Sequence, residues 1–167
     1  MEMLLPDLDA TRRLGRVLAN AIMAAPRPLP IFFFGELGMG KTTLISALVK
    51  ALPGGDAAET SSPSFTLCNL YPTTPLVAHF DAYRQENGSA DESLLDFLDG
   101  ERHFVLVEWA ERLPEYAFPP QRLHCEITAD HETRRVRFTP FGHDAERFLD
   151  SVESALHSRT ASSGGNP

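Results

Sequence analysis

A glycine-rich stretch, residues 35–42, contains the residue types and spacing best suited to binding phosphate. It reads Gly-Glu-Leu-Gly-Met-Gly-Lys-Thr and fits the pattern G-x-x-x-x-G-K-[ST]. Its glycines allow positive φ angles, which let consecutive backbone N–H groups point at phosphate oxygens. Lys41 has the reach to contact the outer phosphates of a nucleotide, and the Thr42 hydroxyl can hold Mg²⁺. The spacing therefore predicts a phosphate-binding loop for a nucleoside triphosphate with Mg²⁺.

Two acidic residues that follow apolar runs are candidates for the chemistry that such a loop does not supply by itself. Glu108 follows the run 104–107, and a carboxylate at the carboxyl edge of a parallel strand can reach Mg²⁺ directly or through water. Asp81 follows the segment 76–80 and could hold a metal-bound water or act as general base toward an attacking water. Glu108 could instead cap the next helix, and Asp81 could pair with Arg84 in a turn. The sequence leaves open which carboxylate binds Mg²⁺ directly.

Alternating helix and strand patterns predict the architecture around the loop. The apolar run Ile31–Phe34 precedes the loop and a helix-favouring run, 43–50, follows it, which is the strand–loop–helix context that the motif requires. The run 104–107 is typical of a central parallel strand that is buried on both faces. Further helices are predicted from Asp7 or Asp9 to Ala25, over 91–98 and over 144–156, and further strands over 65–71, 76–80, 122–128 and 134–139. The elements predict an α/β fold, a three-layer P-loop NTPase sandwich with a mostly parallel central sheet.

Length, composition and charge restrict the class of protein. A chain of 167 residues with 43% hydrophobic content suits one domain. We assign residues 1–157 to a single P-loop ATPase domain and residues 158–167, rich in Ser, Gly and Asn, to a disordered tail. The sequence has neither a signal-peptide pattern nor an apolar run long enough to span a membrane, and Cys68 and Cys125 show no metal-binding spacing. We therefore expect a cytoplasmic protein with no membrane association. The net charge of −8 argues against a broad nucleic-acid-binding surface.

Three further motifs follow the loop along the chain. They are Ser-Pro-Ser-Phe-Thr-Leu at 62–67, His-Phe-Asp-Ala-Tyr-Arg at 79–84 and Val-Glu-Trp-Ala-Glu at 107–111. Together with Leu-Gly-Met-Gly-Lys-Thr-Thr at 37–43, and in this order, they resemble the bacterial TsaE family, the ATPase of the tRNA threonylcarbamoyladenosine (t6A) system. The resemblance spans roughly Thr11 to Arg135 and is far more specific than the loop alone.

The resemblance implies an activity and partners. It implies a small ATP hydrolase that works with the TsaD and TsaB proteins, which transfer threonylcarbamoyl to adenosine 37 of tRNA. Hydrolysis of ATP would drive or reset that complex, and the chain would meet tRNA only indirectly, through the complex. The acidic net charge agrees with a subunit that docks on protein.

The resemblance also implies roles for individual positions. Mg²⁺ would be held at the positions of Thr42 and Glu108. Thr11 resembles a residue near the adenine, and Arg134 or Arg135 resembles a late basic residue near the nucleotide. The expected catalytic residues are Lys41, Asp81 and Glu108. The expected nucleotide-binding residues are Thr11, Glu36, Leu37, Gly38, Met39, Gly40, Lys41, Thr42, Thr43 and Arg135.

Two other functions remain compatible with a phosphate-binding loop in a chain of this size. One is a small-molecule kinase, although the sequence has no arginine-rich lid after Glu108. The other is a module in which bound nucleotide only controls docking to a partner. The loop 60–65 lies where switch I lies in many P-loop NTPases and could respond to the outermost phosphate. Trp109 could pack over the nucleotide or fill a gap in the core.

Overall fold

A seven-stranded sheet lies at the centre of the chain over the residues that the structure describes. The structure is a computed structural model, and it describes residues 1–57, 67–85 and 89–161, without the side chains of 159–161. The strand order across the sheet is β1-β7-β6-β2-β5-β4-β3. The strands are β1 (Glu2–Leu5), β2 (Ile31–Phe34), β3 (Cys68–Tyr71), β4 (Val77–Asp81), β5 (Phe104–Glu108), β6 (Arg122–Asp130) and β7 (Thr133–Phe141).

The centre of the sheet is parallel and its two sides are antiparallel. Strand β2 runs parallel to both of its neighbours, β5 and β6, and β5 runs parallel to β4. The pairs β6–β7, β1–β7 and β3–β4 are antiparallel. Strand β5 is buried at all five positions, as its continuous apolar sequence requires when helices cover both faces. The predicted α/β fold with parallel central strands is confirmed.

Four helices and three short 3₁₀ turns surround the sheet in the described part of the chain. The helices are α1 (Leu8–Ala24), α2 (Lys41–Ala51), α3 (Glu92–Asp99) and α4 (His143–Ala161), and the turns are Gly55–Ala57, Ala110–Arg112 and Glu115–Ala117. Two separate apolar cores form between these helices and the sheet. Ile31 and Phe33 of β2 belong to the core with α1, α2 and α4, whereas Phe32 belongs to the core with α3. Alternate side chains of β2 thus enter opposite cores, which gives the predicted three layers.

Helix α1 shows how the sequence positions the loop helix. Asp7 caps its first turn by accepting a hydrogen bond from the Ala10 N–H at 2.6 Å, as its place before an apolar periodic run predicts. The helix packs closely on α2 at Gly15, where an added Cβ would lie 2.6 Å from the Ala47 Cβ. The absence of a side chain at this position therefore lets the two helices approach, and α1 supports the helix that follows the phosphate-binding loop.

The structure corrects several boundaries. Strand β1 was not predicted, and β6 and β7 each continue beyond their predicted ends, to Asp130 and Phe141. Helix α4 continues to Ala161, so residues 158–161, assigned from their composition to a disordered tail, are helical. The rest of that predicted tail, the switch-like loop 60–65 and the first two residues of the predicted strand 65–71 lie outside the described residues. None of the described helices is both long and apolar enough to cross a membrane.

Candidate nucleotide-binding site

The loop between β2 and α2 has the backbone conformation that its glycines predict. Gly35, Gly38 and Gly40 have φ angles of 134°, 79° and 101°, a region that residues with a side chain rarely adopt. An added Cβ at Gly38 or Gly40 would meet nothing within 4 Å, so open space lies beside the loop at both positions. At Gly35 the situation is the reverse, because an added Cβ would lie 2.3 Å from the Ile127 carbonyl oxygen of β6.

Helix α2 begins directly at the end of this loop. Gly40 occupies the N-cap position, and it has no side chain that could accept a hydrogen bond from the first turn. The Leu44 N–H bonds to the Gly40 carbonyl at 3.0 Å, which is the first bond of the regular helix. The N–H groups of Lys41, Thr42 and Thr43, which precede Leu44 in α2, are therefore not used by the regular helix, and such groups at a helix N-terminus suit an anion.

Lys41 is buried and its ammonium group contacts both the loop and an aromatic ring. Its Nζ donates to the carbonyl oxygens of Gly35 and Glu36, the latter at 3.0 Å. The same Nζ lies 3.8 Å from the centroid of the Trp109 ring, a cation–π contact. Burial lowers the pKa of Lys41, although the nearby carboxylates of Glu111, Glu108 and Asp81 act in the opposite direction. These contacts hold the ammonium group between the start of the loop and the Trp109 ring.

Thr42 and Glu108 form a direct contact between the loop helix and the end of β5. The Thr42 hydroxyl lies 2.8 Å from both carboxylate oxygens of Glu108. Only 2% of Glu108 is exposed. Its Oε1 also lies 2.9 Å from the Nε2 of His79, a buried residue of β4. The predicted pair of metal ligands, one hydroxyl and one carboxylate, is therefore brought together in the structure.

Asp81 lies beside Glu108 at the end of the neighbouring strand. The register of β4 and β5 pairs Asp81 with Glu108, so the two carboxylates share a face of the sheet. Asp81 is 3% exposed, and its Oδ1 accepts a hydrogen bond from the Tyr83 N–H at 2.8 Å. Strand alternation predicts that His79 and Asp81 share one face and that Phe80 takes the other, and Phe80 does pack in the core with α3.

These side chains line one open pocket. It has a volume of about 410 Å³. Trp109, which adopts a left-handed backbone conformation with φ of 58°, and Tyr83 lie together on one side with ring centroids 4.7 Å apart. The pocket is lined by Leu37, Gly38, Met39, Gly40, Lys41, Thr42, Thr43, Asp81, Tyr83, Arg84, Glu108 and Trp109. The residues predicted to bind phosphate and the predicted acids thus surround a single space.

Three predicted nucleotide-binding residues, Thr11, Glu36 and Arg135, do not line this pocket. The Thr11 hydroxyl donates to the Asp7 carbonyl oxygen at 3.2 Å, within the first turn of α1. Arg135 lies on β7, where its guanidinium group donates to Glu2 at 2.7 Å and also to Asp130. The Glu36 carbonyl oxygen contacts Lys41. The roles of Thr11 near the base and of Arg135 near the nucleotide stay predictions.

The sequence did not identify His79, Tyr71 or Tyr83 as residues of the site. His79 contacts Glu108 directly, and Tyr71 contacts His79 from β3. Strand alternation, which places His79 on the same face as Asp81, was the available signal for His79. Tyr71 could not be found in the same way, because its contact depends on the register between β3 and β4.

Comparison with known proteins gives a consistent result. The family model described as "Threonylcarbamoyl adenosine biosynthesis protein TsaE" matches residues 5–137. The tRNA threonylcarbamoyladenosine biosynthesis protein TsaE of Synechocystis is 36% identical over 120 residues, 69% of this chain and 73% of its own length. The Nostoc protein of the same name is 32% identical over 146 residues, 82% of this chain and 84% of its own length.

A solved structure supports the fold independently. The crystal structure of Bacillus subtilis YdiB superposes with a TM-score of 0.73 over 93% of this chain and 95% of that chain, at 23% identity. At this identity the likeness concerns the fold alone, whereas the family match covers both the phosphate-binding loop and the acids of β4 and β5. The chain belongs to the TsaE family of tRNA threonylcarbamoyladenosine biosynthesis proteins.

Proposed function

We propose that the chain is an ATPase that binds ATP with Mg²⁺ and hydrolyses it to drive or reset the TsaD–TsaB complex during t6A modification. The observation that carries the proposal is the convergence of Lys41, Thr42 and Glu108 in one pocket beside the glycine-rich loop. This arrangement combines a phosphate-binding backbone, a cation and a hydroxyl–carboxylate pair, which are the parts that P-loop hydrolysis of a nucleotide requires.

The loop and the start of α2 would bind the phosphates. The uncapped N–H groups of α2 and the open space at Gly38 and Gly40 suit an anionic group that approaches the backbone closely. Lys41 would exchange the carbonyl oxygens of Gly35 and Glu36 for phosphate oxygens, which are stronger acceptors because they are charged. The ammonium group needs only to turn within the pocket that it already lines.

The residues fit Mg²⁺ in type and position. Thr42 and Glu108 offer the oxygen donors that this ion prefers, and they already contact each other at 2.8 Å. Among the described residues no group of three or more His, Cys, Asp or Glu side chains could hold a metal, so this pair would bind the ion together with phosphate oxygens. When bound, Mg²⁺ would neutralise charge that develops on the phosphates.

The two carboxylates would have different tasks. The contact of Glu108 with Thr42 favours Glu108 as the acid on the metal side. Asp81 lies on the same face, one strand away. We assign to Asp81 the orientation of the attacking water and acceptance of its proton. Thr11 would act near the base and Arg135 near the nucleotide, and we expect the protein to function in the cytoplasm.

The first experiment measures ATP hydrolysis by the purified chain, alone and with TsaD and TsaB, with and without Mg²⁺. We expect Mg²⁺-dependent turnover that rises with the partners and disappears in Lys41→Ala. Lys50→Ala is the matched control, because Lys50 is an exposed lysine in the last turn of the same helix. Glu108→Ala should retain ATP binding in EDTA and lose turnover. If the wild-type chain binds ATP but shows no turnover under any condition, the chain is a nucleotide-controlled docking module and the ATPase proposal fails.

A further inference from the structure

A buried chain of hydrogen bonds extends from Glu108 away from the pocket. His79 Nε2 lies 2.9 Å from Glu108 Oε1, and its other ring nitrogen, Nδ1, lies 3.2 Å from the hydroxyl of Tyr71. The Asn69 side-chain amide donates to the same hydroxyl at 3.5 Å. His79 is fully buried and Tyr71 is 4% exposed. These contacts join three neighbouring strands, β3, β4 and β5, on the face that α2 covers.

The hydrogen bonds of this network all point the same way, from Asn69 through Tyr71 and His79 to Glu108. A carboxylate only accepts, so the proton between His79 and Glu108 belongs on Nε2. The Tyr71 oxygen accepts from Asn69, which leaves its own hydrogen for Nδ1 of His79. Both ring nitrogens of His79 and the Tyr71 hydroxyl then have their partners when the imidazole carries a single proton, on Nε2. The ring therefore has one orientation and one tautomer that satisfy both neighbours.

Such a chain of hydrogen bonds is unusual in an otherwise apolar layer of side chains between the sheet and α2. The neighbours of His79 along the same face include Val77 and Leu106, both fully buried. An aliphatic side chain at position 79 would fill this space without the need for partners. The histidine at position 79 is therefore explained by its contact with Glu108, the carboxylate that faces Thr42.

We infer that His79, oriented by Tyr71, is a positioning residue that holds the Glu108 carboxylate against Thr42 in the arrangement that binds Mg²⁺. Glu108 joins β5 to the loop helix, and His79 contacts the same carboxylate from β4. Partners of this kind, which orient a metal ligand without touching the metal, typically change metal affinity by about 10- to 100-fold when they are removed. The metal-binding part of this inference depends on the proposed function, whereas the direction of the hydrogen bonds does not.

The hydrogen-bond direction is tested by ¹⁵N NMR of the histidine rings in the protein without added nucleotide or metal. We expect His79 to carry its proton on Nε2. Tyr71→Phe removes only the hydroxyl, so the proton should stay on Nε2, where Glu108 still accepts it, while the ¹⁵N shift of the unprotonated Nδ1 should change because its hydrogen bond is lost. A His79 with its proton on Nδ1 in the wild-type chain, or an Nδ1 shift unaffected by Tyr71→Phe, would overturn the inference.

The positioning role is tested by calorimetric binding of ATP with and without Mg²⁺. In His79→Leu we expect ATP affinity in EDTA to stay the same and the gain on adding Mg²⁺ to fall about 10- to 100-fold. His79→Gln should restore part of that gain, because its amide can donate to Glu108 from about the position of Nε2. Tyr71→Phe should give a smaller loss in the same direction, and it serves as the main variant if His79→Leu does not fold.

The outcomes separate this inference from the proposed function. If the wild-type chain binds ATP in a Mg²⁺-dependent way and the variants keep the full Mg²⁺ effect, His79 is a packing residue and only the inference fails. Equal loss of affinity with and without Mg²⁺ would have the same meaning. If the wild-type chain shows no Mg²⁺-dependent ATP binding at all, both fail, because Glu108 then has no metal to be positioned for.

Discussion

His124 provides a quantitative test of the packing around β6. Its ring lies between the rings of Phe34 and Phe141, with centroids at 4.6 Å and 4.5 Å. The Arg122 Nε–H donates to its Nε2 at 2.9 Å, so that nitrogen must be free of a proton for this contact to form. Burial, with a smaller contribution from the positive charge of Arg122, lowers the pKa of His124 from 6.5 to about 4. The folded chain therefore resists protonation of this ring.

The sign of the effect on stability follows from the two pKa values. Between about pH 6.5 and pH 4 the unfolded chain binds a proton at His124 and the folded chain does not, so stability falls as the pH falls. The complete effect corresponds to about 3.4 kcal/mol, since each pKa unit is worth about 1.36 kcal/mol. Between pH 7 and pH 5 the loss of stability that His124 causes is at most about 2 kcal/mol. Because the ring is only half-buried and solvent screens it, we expect about 1 kcal/mol.

The assay is urea unfolding of wild type, His124→Phe and His124→Gln at pH 7, 6 and 5. The first variant keeps an aromatic ring and the second keeps an acceptor for Arg122, and neither titrates in this range. Other groups contribute equally to all three proteins, among them His103, whose pKa is lowered by burial and by Arg102. We expect the wild type to lose about 1 kcal/mol more stability than either variant between pH 7 and pH 5. A wild-type curve parallel to those of both variants would refute the argument.

Two further predictions concern the loop helix and the pocket. Gly15→Ala should lower the free energy of unfolding by about 1–2 kcal/mol in urea, despite alanine's helix propensity, because its Cβ would lie 2.6 Å from that of Ala47. The exposed Asn20→Ala on the same helix should cause no loss. ATP with Mg²⁺ should change the fluorescence of the single tryptophan, because Lys41 must alter its contact with Trp109 to reach phosphate. Unchanged fluorescence while calorimetry reports bound ATP would contradict that movement.

The sequence predicted those parts of the fold whose signals are local. The strand β2, the glycine-rich loop and the helix α2 are consecutive, and their apolar spacing and glycines determine them directly. Strand β1 gave no such signal, because it has four residues, of which only Leu5 is buried. It exists through pairing with β7, where Glu2 lies opposite Arg137 and forms a salt bridge with it at 3.0 Å. Contacts between residues so far apart in the chain leave no periodic pattern.

The distinction between local signals and contacts of distant residues also holds for the candidate site. The convergence of Thr42 and Glu108 could be predicted, because both follow strands whose carboxyl ends meet at one edge of a parallel sheet. The contact of Lys41 with Trp109 could not, since it requires the left-handed backbone at position 109. The contact of Tyr71 with His79 depends on an antiparallel register that strand propensity does not specify.

The glycine-rich loop has a consequence for the thermodynamics of ligand binding. Gly35, the first residue of the loop, lies against the Ile127 carbonyl oxygen. The Met39 N–H bonds to the Glu36 carbonyl at 3.4 Å and closes the turn, and Gly40 is the N-cap of α2. Contacts within the protein alone thus maintain the curvature of the loop backbone. A phosphate group would therefore bind to a preorganised surface, and little of its binding free energy would be consumed in ordering the chain. The main rearrangement falls on one flexible side chain, that of Lys41, so the rate of association should be limited by encounter rather than by loop closure.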